Sequence, residues 1–106
     1  KDGIKECIIY INNHFKETLT VAELARRFGD NQSYLSRLFK QQTGISLINY
    51  IYEIKINQFY QDLVTSGKPI NVLLRQNGLK NERTAREKFK KMFGKLPNEL
   101  RNSEFQ

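Results

Sequence analysis

Asn31-Gln32-Ser33-Tyr34-Leu35-Ser36-Arg37-Leu38-Phe39-Lys40-Gln41-Gln42-Thr43-Gly44 describes one short helix with both ends marked. Asn31 can accept from the first free backbone N–H groups, and Gly44 can take the left-handed conformation that closes a helix. Leu35, Leu38 and Phe39 fall at i, i+3 and i+4 and share one face. Ser33, Ser36, Arg37 and Lys40 share the opposite one. Such a helix can be buried on one side while the other presents short donors and a guanidinium.

The pattern returns fifty residues later in Asn81 to Gly94, where Phe89-Lys90 repeats Phe39-Lys40 and Gly94 repeats Gly44. A shorter helical stretch closed by glycine precedes each copy, Val21 to Gly29 and Ile70 to Gly78. One extra residue separates Gly78 from Asn81 compared with Gly29 from Asn31, so the copies are alike without being identical. Two units of helix, tight turn and helix in so short a chain are a specific indication of a doubled helix-turn-helix.

The rest of the chain arranges itself around these units. Ile4, Ile8, Ile11 and Phe15 recur at helical spacing and predict a first helix packed on the first unit, with Cys7 as a small core residue on the same face. His14, the only histidine, has no metal-like pattern around it and is expected at the surface or half-buried. Thr20-Val21-Ala22-Glu23 reads as a capping box that starts the next helix; Leu24, Ala25 and Phe28 face inward, and Gly29-Asp30 turns the chain. After Gly44, Ser46 can cap a long helix whose Leu47, Ile48, Ile51, Tyr52, Ile54, Ile56, Phe59 and Leu63 form a broad apolar surface. At about eighteen residues it would be roughly 27 Å long, a rod on the scale of one duplex turn of about 34 Å. Its Tyr50, Tyr52, Phe59 and Tyr60 leave open that it serves a partner interface instead. Ser66-Gly67-Lys68-Pro69 breaks the helix, glycine by freeing the backbone and proline by lacking a donor. Leu96-Pro97 predicts a short last helix over 97–101, with 102–106 frayed. The expected organisation is one all-α domain: a first helix-turn-helix over 1–46, a connecting helix over 47–65 and a second helix-turn-helix over 66–106.

The 106 residues carry 18 Lys and Arg against 11 Asp and Glu, a net +7 that suits a polyanionic partner. Much of the excess is local. Lys80, Arg83, Arg86, Lys88, Lys90, Lys91 and Lys95 face only Glu82 and Glu87 over residues 80–95. The single cysteine cannot form an internal disulfide, consistent with a reducing cytoplasm. No apolar run is long enough to span a membrane, so no membrane association is expected. A phosphate-cradling glycine loop, metal-ligand spacing, a second histidine and a Cys/His pair are all missing from the sequence. An enzyme, a metal and a cofactor are therefore not expected. Because the chain begins at Lys1 rather than Met, it is expected to be a fragment of a longer protein whose sensor or dimerisation domain lies elsewhere.

Candidate contacts with double-stranded DNA follow from helical geometry. Ser33, Ser36, Arg37 and Lys40 form one stripe, and Arg83, Arg86, Glu87 and Lys90 form the other, each at i, i+3, i+4 and i+7. Gln32 and Glu82 sit at the helix starts, within reach of base edges, and Lys90 and Lys91 are placed to meet phosphate. In a major groove Arg can pair bidentately with guanine, Ser can donate or accept, and Glu can accept from cytosine N4. A helical protein-interaction module whose basic face binds an acidic partner is the alternative from another class. RNA is disfavoured, since no strand motif of basic and aromatic residues is present.

Through Tyr34-Leu35-Ser36-Arg37-Leu38-Phe39-Lys40, Gly44, Gly78, Phe89-Lys90, Gly94, Pro97 and Arg101 the chain resembles the DNA-binding domain of the AraC/XylS transcription regulators. The resemblance covers essentially the whole length. It implies seven helices, two helix-turn-helix subdomains, a long connecting helix, and contact with RNA polymerase or with a sensor domain. It also implies base contacts from Ser33, Ser36 and Arg37 and from Arg83, Arg86 and Glu87. The second half departs more from the family pattern: Lys55 and Phe59 replace arginine and alanine, Leu74 replaces alanine, and Leu79 follows Gly78 where phenylalanine is usual. Ala85 stands where the second recognition helix has an aromatic, and Glu87 where it has a basic or polar residue. The first head is therefore expected to discriminate sequence. The second is expected mainly to anchor on the backbone, with less apolar anchorage at Ala85 and an intrahelical pair between Arg83 and Glu87.

Overall fold

The computed structural model describes residues 3–28 and 31–104. Its elements are α1 (Gly3–His14), α2 (Val21–Arg27), α3 (Gln32–Thr43), α4 (Leu47–Thr65), α5 (Ile70–Gln76), α6 (Glu82–Phe93) and α7 (Pro97–Glu104). No strand occurs among the described residues, and the fold is all-α. The expected turn at Gly29-Asp30 lies outside the described residues, as do Phe105 and Gln106.

Side-chain caps set where most of these helices begin. Thr20 Oγ1 accepts from the Glu23 N–H at 3.1 Å, Asn31 Oδ1 from Tyr34 at 2.8 Å, Ser46 Oγ from Asn49 at 3.2 Å and Asn81 Oδ1 from Thr84 at 3.1 Å. Each satisfies a donor that the first turn leaves unpaired. At α7 the Glu99 carboxylate reaches back to the Leu96 N–H at 3.0 Å. Gly44 and Gly94, both at φ +83°, close α3 and α6, their N–H groups bonding back to the carbonyls of Lys40 and Lys90. A Cβ at either glycine would meet nothing within 4 Å, so the backbone angle and not crowding selects glycine.

The chain forms two compact units, Lys1–Ile54 and Lys55–Gln106, and α4 runs through the boundary, supplying side chains to both cores. In the first unit Ile4, Cys7 and Ile11 of α1 bury with Leu24, Ala25, Leu35, Phe39, Leu47 and Ile51. Tyr10 stacks on the half-buried His14 at 4.0 Å and meets Phe28 edge-on at 6.0 Å, and the Arg27 guanidinium lies 4.4 Å from the Tyr10 ring centre. His14 Nδ1 donates to the Tyr10 carbonyl at 2.9 Å, so its ring is held as packing.

In the second unit Ile56, Phe59 and Leu63 of α4 bury with Leu73, Leu74, Leu79, Ala85 and Phe89. Phe59 meets Phe89 edge-on at 5.5 Å, and Tyr60 stacks on Phe93 at 4.6 Å. Two polar ties the sequence did not disclose complete this core. Asn77, fully buried at the end of α5, donates to the Leu73 carbonyl and to Asp62 of α4, each at 2.9 Å. The Arg101 guanidinium donates to the carbonyls of Leu63, Ser66 and Lys68 at 3.2, 2.9 and 2.7 Å, capping the C-terminal end of α4.

Four expectations change. Ile48 is 66% exposed and is not part of the apolar face of α4. The aromatics proposed for a partner interface are engaged: Phe59 is fully buried, Tyr50 packs on Phe39 at 5.3 Å, Tyr60 is stacked and Tyr52 is half-buried. Gly67 lies outside the left-handed region, so the end of α4 rests on Arg101 and Pro69 and not on glycine freedom. Residues 102–104 continue α7 where fraying was expected.

Because one planar fork serves three carbonyls, Arg101→Met should lower the unfolding free energy in urea by about 2–4 kcal/mol. Arg101→Lys should recover less than half of that loss, since one ammonium cannot reproduce the fork. Equal stability of the two variants would show that packing of the stem, and not the fork, holds α4.

Candidate nucleic-acid interface

Burial of one face fixes how each of the two twelve-residue helices α3 and α6 presents the other. Leu35 and Phe39 are 0% exposed in α3, and Ala85 and Phe89 are 0% exposed in α6. From Asn31 to Lys40 and from Asn81 to Lys90, buried, half-buried and exposed residues follow one another in the same order. The repeat seen in sequence is therefore a repeat of orientation.

The structure brings the candidate residues to the surface as two sets. Gln32, Ser33, Arg37 and Lys40 are exposed on α3 with Ser36 half-buried; Glu82, Arg83, Glu87, Lys90 and Lys91 are exposed on α6 with Arg86 half-buried. Ala85 corrects an expectation: it lies in the core at the place of Leu35, so it has no bearing on anchorage in a groove.

The two faces differ in charge. No acidic residue occurs in α3. In α6 both guanidiniums have intrahelical partners, Arg83 with Glu87 at 3.7 Å and Arg86 with Glu82 at 3.5 Å. Arg83 and Glu87 are 89% and 72% exposed, so their pair is screened and is worth about 0.3–0.5 kcal/mol. Yet the unit carrying α6 holds eleven Lys and Arg against five Asp and Glu, while the other holds seven against six. The more basic unit thus has the more self-neutralised exposed helix.

Behind α6 the turn is tied by Lys55, whose Nζ lies 3.5 Å from the Gly78 carbonyl. Burial, and next the charge of Lys80, push the Lys55 ammonium below its usual range. On α3, Ser36 and Arg37 line two adjoining hollows, and Ile48 of α4 lines both. By sequence Ile48 groups with the broad apolar surface of α4, because an isoleucine one turn from other apolar residues reads as one of them.

Two helix-turn-helix units with matched exposed helices, in a basic chain, define a DNA-binding domain of a transcription regulator. Residues 24–103 match the helix-turn-helix domain family. The chain is 30% identical over 98 residues to the multiple antibiotic resistance protein MarA of Salmonella typhimurium, covering 92% of this chain and 77% of that protein. Among solved structures it is similar to the C-terminal domain of AraT, a response regulator from Geobacillus stearothermophilus, with 28% identity, a TM-score of 0.88 and coverage of 97% and 86%. The DNA-binding domain of AdpA, a global transcriptional factor solved with a target DNA, shares the fold at a TM-score of 0.88 and 21% identity, over 97% and 93% of the two chains. The chain belongs to the AraC-type helix-turn-helix family. Among the described residues no helix is long and apolar enough to cross a membrane.

The basic side chains at the end of α6 generate a direct test. Replacing Lys90 and Lys91 together by Ala should reduce the slope of log affinity against log salt by about one to two units, because each phosphate contact releases nearly one counterion. An unchanged slope in a salt titration on duplex DNA would remove these lysines from the electrostatic footprint.

Proposed function

We propose that α3 and α6 are the recognition helices of this domain, each entering a major groove of double-stranded DNA, and that they divide the work unequally. The matched orientation of the two helices supports this most strongly, since it turns both polar stripes outward from equivalent cores. In the first head Arg37 reads guanine O6 and N7, Ser33 and Ser36 add short donors or acceptors, Gln32 reaches the next base edge and Lys40 reaches phosphate. In the second, Arg83 and Arg86 are partly occupied by Glu87 and Glu82. That head holds mainly through Lys90, Lys91 and the surrounding basic side chains. Glu87 is repelled by phosphate unless it meets a cytosine amino group.

Within the same proposal the domain is the output end of a cytoplasmic regulator. Sequence-specific binding positions it beside a promoter, where a contact with RNA polymerase would convert occupancy into transcription. The likeness to the C-terminal domain of a response regulator supports a further sensor or dimerisation domain as its partner. Nothing in this mechanism calls on a catalytic group.

Operators selected from a random duplex pool test the reading. Arg37→Ala should weaken the selected site by about 1–3 kcal/mol, relax preference at one or two base pairs and change non-specific affinity less. Equal loss on specific and non-specific DNA would make Arg37 a phosphate contact. A protein with no preference for any duplex, but with affinity for acidic polypeptides, would overturn the reading in favour of a protein-interaction module.

The division between heads has its own measurement. Scrambling the half-site under α6 should cost at most about 1 kcal/mol, against several under α3, given about 1–3 kcal/mol per mismatched pair. Glu87→Gln should tighten binding to most sequences. Loss confined to operators with cytosine at one position would show instead that Glu87 reads a base.

A further inference from the structure

We infer that Ile48, a residue of the connecting helix, is a third reading element of the first head and takes the 5-methyl group of a thymine. This rests on α3 being a recognition helix in a major groove. Ile48 is the second residue of α4 and is 66% exposed, more than Ile9 at 55% or Tyr34 at 45%. Its position is not that of a stray apolar residue on a solvated face. It lines one hollow with Ser36, Arg37, Lys40 and Gln41, and an adjoining one with Gln32, Ser33, Ser36 and Arg37. Ser36 and Arg37 border both, so Ile48 stands beside the central turn of α3, among the side chains assigned to base edges.

The occupant follows from chemistry. Arg37 and Lys40 beside the hollow favour a polyanion over an apolar or basic protein surface. The thymine methyl is the one apolar group that base pairs present in the major groove. A branched aliphatic side chain surrounded by hydrogen-bonding ones therefore matches a thymine next to the pairs read by Ser36 and Arg37. The Ser46 cap, bonded to the Asn49 N–H at 3.2 Å, fixes the turn of α4 that carries Ile48 and limits the freedom lost on contact.

The test uses the selected operator with each thymine under α3 replaced singly by deoxyuridine, which removes only the methyl. Removal of one buried methyl corresponds to about a four-fold loss. One such replacement should weaken the unaltered protein by about that factor and leave Ile48→Ala unaffected, the coupling of a double-mutant cycle. Ile48→Ala should also weaken the thymine operator while binding non-specific DNA as before, and because the side chain is exposed its urea unfolding should be unchanged. No coupled thymine, or equal weakening on every duplex, overturns the inference and makes Ile48 at most a sugar contact. Arg37→Ala separates the two levels: if it relaxes preference at one or two base pairs as expected above, the reading of α3 stands without Ile48, whereas if it too has no effect the recognition-helix reading itself fails.

Discussion

A twelve-residue helix in water has little stability of its own, and what settles α3 and α6 is the burial of a pair of side chains four residues apart on one face. Leu35 with Phe39, and Ala85 with Phe89, fix the rotation of each helix about its axis. A turn of about 100° per residue would carry the wrong side chains outward, so the polar stripes depend on these pairs more than on any polar contact. The caps Asn31 and Asn81, with Gly44 and Gly94, limit each helix to the length that the cores can hold.

The same constraint explains why the second core tolerates residues unusual for its family. The family resemblance implies a small residue at the place of Phe59 and an aromatic at that of Ala85, and both side chains are fully buried in one unit. A large-for-small change and a small-for-large change in a single core keep its volume near constant, the kind of exchange that packing accepts best. Phe59, Phe89, Phe93 and Tyr60 then form a chain of ring contacts that fills the space. The orientation of α6 survives the exchange because Phe89 keeps its place.

α4 is the element on which both units draw. Its first half buries Leu47 and Ile51, its second half Ile56, Phe59 and Leu63, and it is closed by a guanidinium from α7 and braced through Asp62 by Asn77. A buried polar network of this kind forms in only one arrangement and so gives the second unit a definite packing, even though Asn77 Oδ1 and Arg101 Nε have no hydrogen-bond partner. Charge is distributed by another logic: α3 keeps Arg37 clear of acidic neighbours on its own helix, while α6 ties both of its guanidiniums to glutamates.

Local chemistry made most of the fold legible before any coordinates. Caps, glycine stops and spacing at i, i+3 and i+4 are short-range signals, so all seven helices, the doubled unit and the outward stripes were readable in the chain itself. The pairing of Arg83 with Glu87 was legible for the same reason, being one turn of helix. Long-range contacts were not. Nothing local marks Arg101 as the cap of a helix that ends 36 residues earlier, or Asn77 as the partner of Asp62, because those distances exist only once α5 and α7 have packed. Hydrophobicity alone put Ile48 on the broad apolar surface of α4 and left Ala85 available to a groove. Only the tertiary structure decided that Ile48 faces solvent beside Arg37 and that Ala85's place is internal, since burial belongs to the assembled core and not to the residue.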